Sequence, residues 1–178
     1  PVLIQDIFEN ILTVMEHYAN EKQLHLHYSV DDKINFAFFS DPLRLTQIIT
    51  NLVTNAIKFT AKGSIHFEAK LKNKNTLQLI VSDTGIGIPN DKLKTIFAQY
   101  EQVRTKVQKK YKGTGLGLAI SKKLVELMNG TIIIKSKINQ GTSFVISLPF
   151  EKAAMQKSTT TKKKKKDTVF LKGKTILI

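Results

Sequence analysis

Three short stretches carry residue types whose spacing suits work on a phosphorylated ligand. In NLVTNAIKF, Asn51, Asn55 and Lys58 stand at i, i+4 and i+7, so on a helix they fall within about 60° of one another and form one polar ridge. Amide oxygens are neutral, hard ligands suited to Mg²⁺ that already carries phosphate oxygens, and a lysine one turn on can reach a phosphate. The same ridge would also suit a solvent-facing helix, so it needs support from elsewhere. In SDTGIGIPN, Asp83 ends an apolar run, and Gly85 and Gly87 permit a turn that brings backbone close to a ligand. A carboxylate there can accept a hydrogen bond from an exocyclic amine, as a pocket selecting adenine requires; a plain strand-to-helix turn is the alternative. In KGTGLGLA, Gly113, Gly115 and Gly117 precede a helix-like run, whose free N–H groups and dipole can face an anion. The spacing is neither GxxxxGK[ST] nor a good GxGxxG, which would need glycine at Leu118.

Placing these groups requires particular elements. Asp6 can cap a helix through Asn20, with Ile7, Ile11, Val14, Met15 and Tyr18 as its buried stripe. LHLHYSV (24–30) and INFAFF (34–39) read as strands. Asp41 as cap and Pro42 at the first helical position start a long helix to about Phe59, with Leu45, Ile48, Ile49, Leu52, Val53 and Ala56 apolar. SIHFEAKL (64–71) and LQLIVSD (77–83) suggest a hairpin, NDKLKTIFAQY (90–100) a short helix, and 117–129 another. TIIIKSK and TSFVISLPF form a last hairpin through Asn139-Gln140-Gly141. This order predicts an α/β sandwich: a mixed, mostly antiparallel sheet with helices on one face.

Composition agrees with one folded unit followed by an appendage. The 178 residues are 42% hydrophobic, and no cysteine is present, which excludes disulfides, thiolate metal sites and cysteine nucleophiles. No run approaches the roughly 18 apolar residues that span a bilayer, and no secretory leader is visible, so a cytoplasmic domain is expected. Half of the net charge of +14 sits in residues 151–178, where nine lysines face only Glu151 and Asp167. Such a run reads as a solvated linker, and no nucleic-acid partner is expected.

NLVTNAIKFT, SDTGIGIP, IFAQYEQV and GTGLGLAISKKLVELMNG, in this order and spacing, resemble the N, G1, F and G2 boxes of two-component sensor histidine kinases, members of the GHKL ATPase/kinase superfamily with its Bergerat fold. The resemblance covers about residues 1–150, and QGTSFVISLPF is similar to the family's closing hairpin. It implies that Asn51 and Asn55 hold Mg²⁺ and the triphosphate, that Lys58 meets the phosphates, and that Phe59 lies against adenine. It further implies that Asp83 recognises the adenine amine, with Gly85, Gly87, Ile88 and Thr142 around it. Phe97 fits the F box, although Tyr100 stands where phenylalanine is more usual. Residues 101–116 correspond to a mobile ATP lid, with Arg104, Lys109 and Lys110 as phosphate contacts. Gly113, Thr114, Gly115, Leu116, Gly117 and Leu118 form the loop and helix start over the phosphates.

The position of Asn51 separates two classes. In the gyrase and MutL branches the matching residue is a glutamate that activates water, and an asparagine cannot act as that base. A kinase handing its γ-phosphoryl to a side chain is the better fit, with a hydrolysing GHKL ATPase or an anti-sigma-like serine kinase as alternatives. None of the four histidines, in EHYAN, QLHLHYS and SIHFE, matches the family's phosphoacceptor motif. The acceptor is therefore expected on an upstream dimerisation domain, in a parent that acts as a homodimer. LKGKTILI (171–178) resembles the first strand of a response-regulator receiver. The domain reading is a catalytic ATP-binding domain at 1–150, a Lys-rich linker at 151–168 and a possible receiver strand at 169–178, in a hybrid kinase.

Overall fold

The structure, a computed structural model, describes residues 1–98 and 115–153. Three helices, α1 (Ile4–Glu21), α2 (Pro42–Phe59) and α3 (Gly117–Leu127), pack with five strands of one sheet: β1 (His25–Val30), β3 (Ser64–Asn73), β4 (Thr76–Asp83), β5 (Thr131–Lys137) and β6 (Gly141–Pro149). Their spatial order is β1-β3-β4-β6-β5, with β1 and β3 parallel and every other pairing antiparallel. A separate two-stranded ribbon joins β2 (Phe38–Phe39) to β7 (Glu151–Lys152). The architecture is the mixed, mostly antiparallel α/β arrangement read from the sequence.

Helix α2 forms where its start signals stand. Asp41 Oδ1 accepts a hydrogen bond from the Arg44 amide at 3.1 Å, and Pro42 occupies the first turn, where no N–H is required. Leu45, Ile48, Ile49, Leu52, Val53, Ala56 and Ile57 are all buried. Alternation in β3 and β4 then supplies the opposing surface, with Ile65, Phe67, Ala69, Leu77, Leu79 and Val81 facing the helices.

Three local expectations differ from what folds. Helix α1 begins at Ile4 after Leu3, two residues before Asp6, because Val2 is pinned to Phe38 by paired backbone bonds of 2.8 and 3.0 Å. Asp6 thus lies within the first turn, where its charge favours the helix dipole. The earlier start rotates the apolar face. Ile4, Ile7, Phe8, Ile11 and Ala19 are buried, with Phe8 edge-on to Tyr28 and Phe67, while Val14 and Tyr18 are more than half exposed.

The 34–39 run forms only a two-residue strand, because its partner β7 offers just two residues. That pairing carries backbone order through Lys152, two residues beyond the expected end of the folded unit. Residues 90–98 form successive turns instead of a helix: Lys92, Leu93 and Thr95 N–H groups bond three residues back, and only Ile96 reaches four back, to Lys92. Ile96 is the one fully buried side chain there, too little apolar surface to hold an amphipathic helix.

Candidate functional site

The polar ridge of α2 faces the start of α3. Asn51 Nδ2 donates to Ser121 Oγ at 2.7 Å, and a Cβ on Gly117 would collide with the Asn51 amide. The α3 N-cap, Leu116, has no side-chain cap hydrogen bond, so the helix start is left to the backbone. Because the Asn51 nitrogen is spent on Ser121, its carbonyl oxygen points away as an acceptor. Asn55 is half-buried one turn on, and Lys58 Nζ lies 5.1 Å from the centroid of the Phe59 ring. Two neutral amide oxygens one turn apart suit a hard divalent cation that carries phosphate oxygens, so the residues present fit Mg²⁺.

Asp83 ends β4 opposite Thr142 at the start of β6. Its Oδ1 accepts the Gly85 N–H at 2.8 Å and the Thr142 N–H at 3.3 Å. Burial pushes its carboxyl above the usual range, and these two backbone donors oppose that rise. One carboxylate oxygen is therefore held by the turn, which directs the other outward. A hollow of about 410 Å³ at this end of the sheet borders Asp83, Lys135, Ser136, Lys137 and Thr142.

The turn after Asp83 is stitched to the β5–β6 hairpin. Ile88 N–H donates to Ser136 Oγ at 2.8 Å, Ser136 Oγ lies 2.9 Å from Thr142 Oγ1, and the Asn139 amide donates to the Ile86 carbonyl at 2.9 Å. Gly87 adopts φ +69° beside the Lys137 carbonyl, where a Cβ would collide with backbone. Ile88, Phe97 and Leu118 are partly buried against the core. Phe97 lies edge-on to Phe144 at 6.4 Å, with Lys122 Nζ 5.6 Å from its centroid.

Of the residues singled out in the sequence, Asn51, Gly117 and the α3 start meet at one place. Asp83, Gly85, Gly87, Ile88 and Thr142 gather at the adjoining strand ends. Gly115 has φ +71° just before Leu116 and α3. Arg104, Lys109, Lys110, Gly113, Thr114 and Tyr100 lie outside the described residues, as do 154–178. Among the histidines, His17 is exposed beside Glu21, while His27 of the edge strand β1 and His66 of β3 stack on each other.

Four supporting residues escaped sequence reasoning. Ser121 holds Asn51, Ser136 fastens the Asp83 turn, Lys22 Nζ closes the α2 carbonyls of Ile57 and Lys58 at 2.7 and 3.1 Å, and Thr60 is buried beside Gly85. Ser136 alone left a signal, as a polar residue on the inward face of the alternating TIIIKSK strand.

A family model described as histidine kinase-, DNA gyrase B-, and HSP90-like ATPase matches residues 40–152, which span α2, the Asp83 turn and α3. The chain belongs to that family. It is 40% identical over 161 residues to the sensor protein GacS of Pseudomonas syringae pv. syringae, covering 88% of this chain and 18% of that protein. It is 36% identical over 148 residues to the signal transduction histidine-protein kinase BarA of Escherichia coli K12, covering 81% of this chain and 16% of that kinase. The chain thus spans less than a fifth of the length of these relatives. Among solved structures, full-length ShkA in complex with AMPPNP is 30% identical with a TM-score of 0.78, covering 87% of this chain and 32% of that one. The nucleotide-free catalytic domain of the histidine kinase ThkA shares the fold at TM-score 0.70 and 23% identity, covering 83% of this chain and 94% of that domain. This ATPase family and its sensor-kinase members agree with the fold derived above. No helix among the described residues is long and apolar enough to cross a membrane.

Proposed function

We propose that this member of the ATPase family binds Mg-ATP between α2, the Asp83 turn and the start of α3, and donates the γ-phosphoryl group to a histidine on a separate, dimerising domain of a sensor kinase. The observation that carries this reading is the Asn51 amide, which Ser121 and Gly117 hold against the first turn of α3. A phosphate there would meet backbone N–H groups and a positive dipole end from α3, with amide oxygens supplied by α2.

Each residue then has a task on the nucleotide. The outward oxygen of Asp83 accepts the adenine amine, while Gly85 and Gly87 let the turn pack closely against the end of α2 and the β5–β6 hairpin and so fix that carboxylate. Phe59 and Ile88 supply apolar surface, and Lys58 reaches the phosphates. Asn51 and Asn55 would hold Mg²⁺, which would supply charge neutralisation to the phosphate oxygens. Asn51 does not activate water, because a primary amide does not accept a proton near neutral pH. The phosphoryl group is instead held for an incoming imidazole: a nitrogen–phosphorus bond forms, the bond to the β-phosphate oxygen breaks, and ADP leaves.

The partners in this reading are the phosphoacceptor domain and a response-regulator receiver, in a hybrid parent resembling GacS and BarA. To test it, the chain is mixed with the dimerisation domain of its parent and ATP labelled on the γ-phosphate. Label should pass to that domain as an acid-labile, base-stable phosphohistidine. Release of inorganic phosphate without a labelled protein, or an acid-stable phosphoserine, would overturn it.

A further inference from the structure

Thr60 follows the last residue of α2, is 1% exposed, and carries the one buried side-chain oxygen among the described residues that has no hydrogen-bond partner. Buried hydroxyls are rarely left in that state. Its surroundings indicate what it serves. The point where Gly85 lacks a Cβ lies 2.9 Å from Thr60 Oγ1, 2.9 Å from Asp83 Oδ1 and 2.5 Å from the Phe59 carbonyl. Hydroxyl and carboxylate are therefore at most twice 2.9 Å apart, a separation that one water, with bonds of about 2.8 Å to each, can bridge. Three oxygens around a glycine supply the polar lining such a water requires.

We propose that Thr60 is a positioning residue for Asp83, its hydroxyl bonded across one buried water to the carboxylate so that the outward oxygen stays aimed at a purine's exocyclic amine. This rests on the adenine-reading role given to Asp83 above. It explains why a polar residue sits in a buried position at the end of α2, directly behind Gly85. A donor at this place also helps to keep the carboxylate charged against the burial that raises its pKa. Lys58 stands two residues away on α2, while Lys135 and Lys137 of β5 alternate to the face opposite Ser136 and border a hollow at Asp83 that Thr60 does not line.

The experiment measures binding of a fluorescent ADP analogue to the purified chain without Mg²⁺, from about pH 4 to about pH 8, a range that brackets the ordinary and raised carboxyl values. Binding needs the charged carboxylate, so it falls as pH drops through the folded pKa of Asp83. Loss of a donor in Thr60→Val raises that pKa, and the acid limb should move up by about one pH unit, a tenfold loss of affinity on that limb. Thr60→Ser should keep the parental profile, and Thr60→Ala should repeat the shift should the valine not fold. A parental profile in both Thr60→Val and Thr60→Ala, together with a higher melting temperature, would show a hydroxyl unconnected to Asp83 and overturn the proposal. Asp83→Asn separates the two levels. If it binds like the parent, the adenine reading itself fails; if it loses binding while Thr60→Val does not change the profile, only the Thr60 link fails.

Discussion

Replacing Asp83 by asparagine should weaken adenine nucleotide binding and stabilise the protein near neutral pH, for two reasons visible in the same turn. Oδ1 is held by the Gly85 and Thr142 N–H groups, so an asparagine keeps its carbonyl oxygen on those donors and turns its NH₂ outward. The outward atom changes from a charged acceptor to a donor, facing the donor amine of adenine. The loss is a charge-assisted hydrogen bond and an unpaired donor, about 2–3 kcal/mol, or roughly 30- to 160-fold in Kd. Displacement of a fluorescent nucleotide by ADP should report that loss, whereas inorganic triphosphate should compete as well as with the parent. Stability moves the other way. Burial raises the carboxyl's pKa in the folded state, so the folded protein binds this proton more tightly than the unfolded chain. The group's contribution to stability is complete below the unfolded pKa and is lost as pH rises through the folded one. At neutral pH the charged carboxylate is a burden, and the amide removes it. Asp83→Asn should therefore melt higher than the parent near pH 7 and lose the advantage in acid. A variant that binds ADP as tightly as the parent, or melts lower at neutral pH, would refute the account.

Asn55→Ala should abolish the gain in nucleotide affinity that Mg²⁺ gives and leave Mg²⁺-free ADP binding intact; calorimetric titration with and without the metal decides, and an undiminished Mg²⁺ effect would remove Asn55 from the site. Asn51→Ala strands the buried Ser121 hydroxyl and should cost about 1–3 kcal/mol in urea unfolding. In a double-mutant cycle with Ser121→Ala the two losses should couple by about 1 kcal/mol, and simple additivity would deny the contact. Gly87→Ala places a side chain at φ +69° against the Lys137 carbonyl and should destabilise by about 2–3 kcal/mol, from the left-handed conformation and the displacement of the hairpin. Parental stability in the same assay would mean that the turn is free to move.

Much of the site was legible because its parts are local. The Asn51, Asn55 and Lys58 ridge depends only on helical periodicity, and α2 itself is fixed by the Asp41 cap, Pro42 and seven buried apolar residues. The Gly85 and Gly87 turn likewise announces itself by residue type. The helix expected at 90–100 failed for want of a buried face, a property of what packs against the segment and not of its own pattern. Helix α1 starts earlier and ends one residue later than its Asp6 cap and Asn20 end suggested, and the sheet buries Ile4, Ile7, Phe8 and Ile11 in place of Val14 and Tyr18, a choice made by what packs against the helix.

By itself, then, the sequence determined which polar residues share the α2 ridge, the bounds of α2 and the alternating strands, since these depend on neighbours within one or two turns of chain. Tertiary structure decided the order β1-β3-β4-β6-β5, which sets β6 between β4 and β5 and so lays Thr142 beside Asp83. It also decided that Ser121, 70 residues away, fixes the direction of the Asn51 amide, and that Thr60 is buried. Hydrogen-bond direction and desolvation depend on which distant segments come into contact, and no local pattern encodes that.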